Sequence, residues 1–148
     1  MKKIIKNIIE DQNDNNIALT SESNKPLLYK DLKSLVSKIA SQLAGNGISN
    51  KDRAAIVLPN GPFMASSFLS ISSYMSAAPL NPSYKTDEYE FYLKDLNPKI
   101  VIIEPNSSND VVHIDDTHGG GQAIQIDRLK GNLIGGSDPR KDGYAKGY

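Results

Sequence analysis

Apolar residues follow two patterns that alternate along the front of the chain. Between residues 30 and 44 they return at helical spacing, which predicts an amphipathic helix with one buried stripe. Gly45 and Gly47 are predicted to end it, because glycine accepts the left-handed cap conformation. The run "RAAIVLPNG" at 53–61 is instead continuously apolar, the pattern of a strand buried on both faces. The helical stripe consists of Leu32, Leu35, Val36, Ile39, Ala40 and Leu43.

The same alternation continues further along the chain. Residues 62–76 predict a nearly apolar, buried helix, and "AAPLNP" predicts a short strand and turn. "TDEYEFYLKDLN" predicts a helix with Thr86 as its N-cap, and "KIVIIEP" predicts another buried strand. Strands that alternate with helices of this length predict an α/β fold, a partial parallel sheet with flanking helices and right-handed crossovers.

The two ends of the chain differ from this middle. The opening "MKKIIKNIIEDQND" predicts a short amphipathic helix, because Lys6 and Glu10 interrupt the apolar run before it reaches the length of a signal peptide. "NIALTS" and "KPLLYK" then predict a pair of strands.

Glycine marks a change of character near the other end. Eight of the eleven glycines lie beyond residue 110, where "QAIQID" and "NLIGG" predict a C-terminal β-hairpin. We therefore divide the chain into an α/β unit at 1–104, a linker or junction at 105–118 and a hairpin tail at 119–148.

Composition narrows the possible partners. The 148 residues carry 17 basic and 17 acidic side chains, so no overall charge attracts nucleic acid or anionic lipid. The longest apolar segment, 63–78, is too short and too rich in serine to span a bilayer. The chain has no cysteine, which fits a cytoplasmic location.

The glycine run 119–121 resembles a phosphate-binding loop only at first sight. Such a loop lies between a strand and a helix, and its Walker form continues into Gly-Lys-Ser/Thr. Here the glycines precede a predicted strand, so a structural turn is expected.

A metal site is considered at His113, Asp115, Asp116 and His118, since imidazole and carboxylate groups suit several divalent ions. The spacing fits no helix face and no cysteine supports it. We expect no metal ligand in the chain.

The predicted helix at 86–97 carries acidic and aromatic candidates. Its acids are explained by their place in the first turn, where they complement the helix dipole, and its aromatic residues by packing, since no basic patch suggests base stacking. The acids are Asp87, Glu88 and Glu90, and the aromatic residues are Tyr89, Phe91 and Tyr92.

Serines are frequent in and just after the helix predicted at 62–76, but no Gly-x-Ser-x-Gly elbow surrounds them. Small side chains here are expected to let the helix pack closely against its neighbours. We therefore expect neither catalytic nor cofactor-binding residues in the chain. The serines are Ser66, Ser67, Ser70, Ser72, Ser73 and Ser76.

Residues 27–103 resemble the N-terminal region of adenylate-forming acyl-CoA synthetases, in particular the oxalate-CoA and 4-coumarate-CoA ligase branch. The pieces that carry the resemblance are "LLYKDL", "DRAAIVLPNGPFM" and "SAAPLNPSYKTDEYEFYLKDLNPKIVII", in the family's order. It implies a reaction of ATP with a carboxylic acid, then transfer of the acyl group to coenzyme A, with magnesium balancing the phosphates.

The resemblance does not extend to the family's catalytic motifs. The Gly/Ser/Thr-rich ATP loop, the Tyr-Gly-x-Thr-Glu segment, the Thr-Gly-Asp ribose motif and the lysine of the small C-terminal domain are missing from these 148 residues. ATP, magnesium and coenzyme A thus belong to the intact family, and no cofactor is expected in this chain.

The tail at 119–148 resembles a second family, the C-terminus of γ-glutamyltransferases, through "GGGQAI", "SDPR" and the final "GY". That family's nucleophilic threonine is not part of this segment. The resemblance implies a junction near 105–118 between pieces of two enzymes.

Three functions remain open from the sequence. The first is a truncated acyl-CoA synthetase that is inactive as this chain. The second is a non-catalytic module that docks, or self-associates, through an exposed sheet edge. The third is a γ-glutamyltransferase remnant.

Overall fold

The computed structural model describes residues 4–22 and 24–104, together with the backbones of 122–127 and 132–137. The order of elements follows the predicted alternation of helices and strands. The elements are α1 (Ile5–Glu10), β1 (Ile17–Leu19), β2 (Leu27–Leu28), α2 (Tyr29–Gly45), β3 (Arg53–Val57), α3 (Pro62–Ser72), β4 (Ser76–Pro79), α4 (Thr86–Leu96), β5 (Ile100–Ile103), β6 (Gln122–Asp127) and β7 (Asn132–Ser137).

A five-stranded sheet forms the centre of the fold, in the order β4-β3-β5-β6-β7. β3 pairs parallel to β4 and β5, β5 pairs parallel to β6, and β6 pairs antiparallel to β7. The predicted α/β class, with a parallel sheet and flanking helices, is confirmed. The connection between β6 and β7 lies outside the described residues, so the hairpin tail stays a prediction.

Strand β3 is buried on both faces, as predicted. Ala54 and Ile56 face one apolar cluster, which includes residues of α2 and α3. Ala55 and Val57 face a second cluster, which includes residues of α4. The period-two alternation of a strand thus places α3 and α4 on opposite faces of the sheet.

Helix α2 buries the predicted stripe. Four of its six residues are buried, and Leu35 and Ala40 are half-buried. Ile39 and Leu43 belong to the first cluster, and Leu32 and Val36 belong to a third cluster that contains Ile9 of α1. Strands β1 and β2 pair antiparallel beside this cluster and confirm the predicted strand pair.

The two glycines at the end of α2 have different roles. Gly47 has φ +73°, the left-handed conformation, and its N–H donates to the carbonyl of Ala44 at 3.0 Å. Gly45 is the last helical residue and has no positive φ. The left-handed conformation predicted for both is therefore wrong for Gly45, which the helix accommodates as an ordinary residue.

Two other boundaries differ from prediction. Helix α3 ends at Ser72, because residues from Ser76 onward form edge strand β4. Helix α4 has Lys85 as its N-cap, so Thr86 is already the first helical residue. The reason is local: the backbone N–H of Lys85 donates to Glu88 Oε2 at 2.9 Å, which fixes the helix start one residue earlier.

Candidate functional site

The carboxyl ends of β3 and β4 lie side by side in the sheet. β3 leads into α3 on one face, and its neighbour β4 leads toward α4 on the other. In open α/β sheets, ligands bind in a crevice outside the carboxyl ends of the strands. We call residues 58–61 and 80–85, which follow β3 and β4, the strand-end segments.

The first strand-end segment turns sharply into α3. Leu58 is buried, whereas Asn60 and Gly61 are exposed. Gly61 is the N-cap of α3 with φ 155° and ψ −174°, a conformation essentially confined to glycine, and Pro62 follows at the start of the helix. The strand-to-helix turn therefore depends on the glycine backbone.

The second segment is held by hydrogen bonds around Asn81. Its side-chain oxygen accepts the N–H of Ser83 at 2.9 Å. Its main-chain carbonyl accepts the N–H of Tyr84 at 3.2 Å and the hydroxyl of Tyr89 at 2.9 Å. Both oxygens of Asn81 are thus used to fix the turn. Tyr89 is only 2% exposed, so its predicted packing role is confirmed.

Three aromatic rings lie in contact at the surface next to this segment, and we call Tyr84, Phe91 and Tyr92 the aromatic surface. Tyr84 stacks on Tyr92 with ring centroids 5.0 Å apart, and Phe91 meets the edge of Tyr92 at 5.3 Å. Phe91 is 67% exposed and Tyr92 is 37% exposed. The packing role predicted for Phe91 is wrong, because Tyr89 and Leu93 occupy the inner face of α4.

The electrostatics of this surface centre on Tyr84. A hydrogen bond with the Tyr92 side chain raises the pKa of the Tyr84 phenol above its ordinary value. Partial burial, Tyr92 and the nearby Glu88 carboxylate act in the same direction. The phenolate of Tyr84 is therefore harder to form than that of an ordinary tyrosine.

The acidic candidates lie on α4 as structural groups. Asp87 and Glu88 are in its first turn, which confirms their electrostatic explanation. Glu90 lies beyond that turn and is exposed, so the explanation does not reach it. Across residues 4–22 and 24–104, no group of three or more His, Cys, Asp or Glu side chains could hold a metal ion.

Serine hydroxyls of α3 donate to the backbone of their own helix. Ser70 Oγ donates to the Ser66 carbonyl at 2.7 Å, and Ser73 Oγ donates to the Leu69 carbonyl at 2.6 Å. Ser67 and Ser70 are buried, which supports the prediction that small residues allow close packing. These hydroxyls serve the helix and are not arranged as nucleophiles.

The remaining candidates lie outside the described residues. They are the possible metal ligands His113, Asp115, Asp116 and His118 and the glycine run 119–121. Sequence reasoning did not single out Asn81 or Tyr84. Only their position in the sequence could have indicated them, because "LNPSY" directly follows a predicted strand in the alternating β/α pattern.

Comparisons with known proteins agree with this geometry. A family model described as AMP-binding enzyme matches residues 8–142. A probable CoA ligase of Humulus lupulus is 31% identical over 108 residues, which cover 66% of this chain and 21% of the relative. An oxalate-CoA ligase of Arabidopsis thaliana is 34% identical over 87 residues, which cover 57% of this chain and 17% of the relative.

Solved structures share the fold. Apo MatB from Rhodopseudomonas palustris superposes with a TM-score of 0.69 at 19% identity, covering 87% of this chain and 26% of that protein. The N-terminal domain of FACL13 from Mycobacterium tuberculosis gives a TM-score of 0.61 at 25% identity, covering 73% of this chain and 29% of that domain. The chain spans about a fifth of the length of the two curated relatives.

Two sequence expectations are affected by these results. The family match continues to residue 142 and so includes most of the tail, and the resemblance of that tail to a second family receives no support from the comparisons. In addition, none of the helices in the described part of the chain is long and apolar enough to cross a membrane.

Proposed function

The chain belongs to the AMP-binding enzyme family, and we propose that it provides the N-terminal sheet of a CoA ligase without performing the reaction itself. The reaction of the whole ligase joins a carboxylic acid to AMP with release of diphosphate, then transfers the acyl group to the thiol of coenzyme A with release of AMP. The resemblance is to the oxalate-CoA and 4-coumarate-CoA ligase branch, so oxalate and 4-coumarate are the first acids to test. A cytoplasmic location is part of the proposal.

One observation carries this proposal. The order β4-β3-β5, with α3 and α4 on opposite faces, belongs to an arrangement that superposes on MatB over 87% of this chain. Curated relatives at 31% and 34% identity are named as CoA ligases. Fold and sequence therefore support the same family, and the strand-end segments lie at the edge of the sheet where ligands bind in open α/β folds.

The chemistry of the described residues supports a scaffold role. Neither histidine of the chain lies among them, so they offer no imidazole to activate a hydroxyl. The carboxylate of Glu88 and both oxygens of Asn81 accept hydrogen bonds from nearby backbone or side-chain groups. The described residues offer no group of His, Cys, Asp or Glu side chains that could hold magnesium. We therefore expect no adenylate formation by this chain alone.

Calorimetric titration of the purified chain with ATP and magnesium tests the scaffold role. The expected result is no saturable heat at millimolar nucleotide, whereas an intact CoA ligase in the same buffer gives a binding isotherm. Saturable binding with a dissociation constant in the micromolar range would overturn the scaffold role.

Docking through a sheet edge is a second candidate, because β4 lies at one end of the strand order and pairs with β3 alone among the described strands. Leu80 donates its N–H to the carbonyl of Ile56 at 2.9 Å. Because alternate residues of a strand direct their backbone N–H and carbonyl groups to opposite sides, those of Ala77 and Pro79 point away from β3. Pro79 has no N–H, which leaves Ala77 as the outward donor of β4.

Replacing Ala77 with proline tests this edge, since it removes that donor. Sedimentation velocity at increasing concentration should then show less association of the variant than of the parent chain. Equal association of both chains would exclude the β4 edge as the contact.

The junction near 105–118 and the γ-glutamyltransferase origin of 119–148 also remain proposals, supported by the residues "GGGQAI" and "SDPR". A long read of genomic DNA through the codons for Glu104 to Gly121 tests them. Continuous single-molecule reads support a fused gene. Reads that continue from "KIVIIEP" into an ATP loop would show that the tail does not belong to this protein.

A further inference from the structure

We propose that Asn60 is a site of spontaneous deamidation, in which its side-chain amide is lost as ammonia and part of the product is isoaspartate. The chain contains two Asn-Gly pairs, Asn46-Gly47 and Asn60-Gly61. Asparagine followed by glycine is the dipeptide most prone to this reaction, and the fold leaves only the second pair ready to react. The co-reactant is water, and the inference does not depend on the proposed scaffold function.

The reaction begins at the main-chain nitrogen of Gly61. After losing its proton, this nitrogen attacks Cγ of Asn60, a C–N bond forms, and the side-chain amide nitrogen takes up a proton and leaves as ammonia. Water then opens the resulting cyclic imide at either carbonyl. The products are aspartate and isoaspartate, in which the main chain runs through the former side chain. Glycine favours the attack because it has no Cβ to hinder the approach of its nitrogen.

Both reacting groups of the Asn60-Gly61 pair are accessible. The two residues are exposed in the first strand-end segment. Within the described part of the chain, neither the side-chain amide of Asn60 nor the N–H of Gly61 makes a hydrogen bond. Apart from the two neighbours of Gly61 in the chain, no described residue has a heavy atom within 4 Å of the position that a Cβ on Gly61 would take. The surroundings therefore leave room for the cyclic imide.

The Asn46-Gly47 pair has the same sequence, but its reacting groups are engaged. Asn46 is the C-cap of α2, and its side-chain nitrogen donates to the carbonyl of Gln42 at 2.7 Å. The N–H of Gly47 donates to the carbonyl of Ala44 at 3.0 Å. Attack by the Gly47 nitrogen requires both hydrogen bonds to break. The end of α2 therefore protects Asn46, which makes this pair an internal comparison for Asn60.

Deamidation at Asn60 changes the connection between β3 and α3. A carboxylate replaces a neutral amide, and isoaspartate also lengthens the main chain by a carbon atom directly before Gly61. That glycine is the N-cap of α3 and has φ 155°, so the added atom lies where the backbone conformation matters for the start of the helix. Conversion at this position therefore alters both the charge and the backbone of the first strand-end segment.

Timed incubation of the folded full chain at mildly alkaline pH, followed by peptide mass spectrometry, tests the proposal. Digestion at acidic pH avoids further conversion, and an isoaspartate-specific methyltransferase labels the rearranged product. We expect conversion at Asn60 with isoaspartate among the products. Conversion at Asn46 should be slower by about tenfold or more, because reaction there must first break hydrogen bonds. In saturating denaturant, where both pairs are unfolded, the two rates should become similar.

Two variants assign the reaction to this pair. Asn60→Gln keeps Gly61 but lengthens the side chain, so the ring closes much more slowly. Gly61→Ala places a Cβ beside the attacking nitrogen. Both variants should lose most of the conversion at position 60 and leave the rate at Asn46 unchanged. Circular dichroism establishes that each variant is folded, and Gly61→Ala is also compared with the parent chain in denaturant, where folding has no influence.

Other results overturn the proposal. Equal rates at Asn46 and Asn60 in the folded chain would show that the end of α2 gives no protection. Conversion of Asn60 that is slower by about tenfold or more in the folded chain than in denaturant would show that the fold protects this pair as well. Conversion at position 60 without any isoaspartate would show direct hydrolysis of the amide instead of attack by the Gly61 nitrogen.

Discussion

The hydroxyl of Tyr89 donates a 2.9 Å hydrogen bond to the main-chain carbonyl of Asn81, which joins α4 to the segment that follows β4. The ring is buried against the second apolar cluster of the sheet. With Tyr89 facing inward, helical geometry turns the neighbouring Phe91 outward. One contact thus helps to define both the segment after β4 and the aromatic surface.

Substitution of Tyr89 separates these two contributions. Tyr89→Phe keeps the ring and loses the hydrogen bond, so the free energy of unfolding should fall by about 1 kcal/mol. Tyr89→Ala also removes the buried ring and should cost about 3–5 kcal/mol. Urea denaturation followed by circular dichroism measures both. Equal losses for the two variants would contradict the packing role of the ring.

Replacing Gly61, which precedes α3, and Gly45, which lies in α2, with alanine should change stability in opposite directions. Gly61→Ala should lower the free energy of unfolding by about 1–3 kcal/mol, because φ 155° is strained for alanine even though no atom lies within 4 Å of the added Cβ. Gly45→Ala, at an equally open helical position, should instead raise stability by about 0.4–1 kcal/mol. Thermal unfolding midpoints should shift in opposite directions, and a shared direction would contradict this account.

Close packing at Ser70 can be tested by volume. Ser70 is 0% exposed, so Ser70→Leu should overpack the surroundings of α3 and cost about 1–3 kcal/mol. Ser41 makes the same type of hydrogen bond to its own helix but is exposed, and Ser41→Leu should change stability by less than about 0.5 kcal/mol. Similar unfolding free energies for the two leucine variants would show that Ser70 does not limit the packing.

The phenol of Tyr84 should titrate above the ordinary tyrosine range. Because its folded pKa is raised, its contribution to stability is present below about pH 10 and is lost as pH rises through the folded pKa. The difference in absorbance at 295 nm between the parent chain and Tyr84→Phe isolates this group. Tyr92→Phe keeps the stacked ring, removes the hydroxyl partner and should lower the pKa of Tyr84. An unchanged pKa in Tyr92→Phe would show that the hydrogen bond is not the cause.

The elements that bury apolar residues could be predicted from the sequence. Only a helix places the apolar positions of α2 on one face, and the short continuous apolar run of β3 suits a strand buried on both faces. The left-handed Gly47 follows from the same reasoning.

The misses concern choices that the local sequence leaves open. Thr86 and Lys85 compete for the cap, and the reach of the Glu88 side chain decides between them. Consecutive aromatic residues in "YEFY" cannot all face the sheet, and the bond from Tyr89 to Asn81 selects which one does. Such contacts are made by polar groups of individual side chains, so hydrophobic periodicity alone does not reveal them.

The candidate site was less predictable than the fold. Its position depends on the order β4-β3-β5, which places consecutive loops on opposite faces of the sheet. The family resemblance implies that the matched blocks serve mainly as scaffold, and the absence of catalytic residues stays a prediction. Asn81 gained its place from hydrogen bonds with Ser83 and Tyr89, two and eight residues further along the chain, which the hydrophobic pattern does not show.

The most direct test of the scaffold function is acid-dependent exchange of labelled diphosphate into ATP, the reverse of adenylate formation. The purified chain is incubated with ATP, magnesium and either oxalate or 4-coumarate, beside an intact CoA ligase. We predict no exchange above the rate without protein for the chain alone. Exchange that requires one of the acids and is catalysed by this chain would show that its 148 residues contain a working active site and would contradict the account.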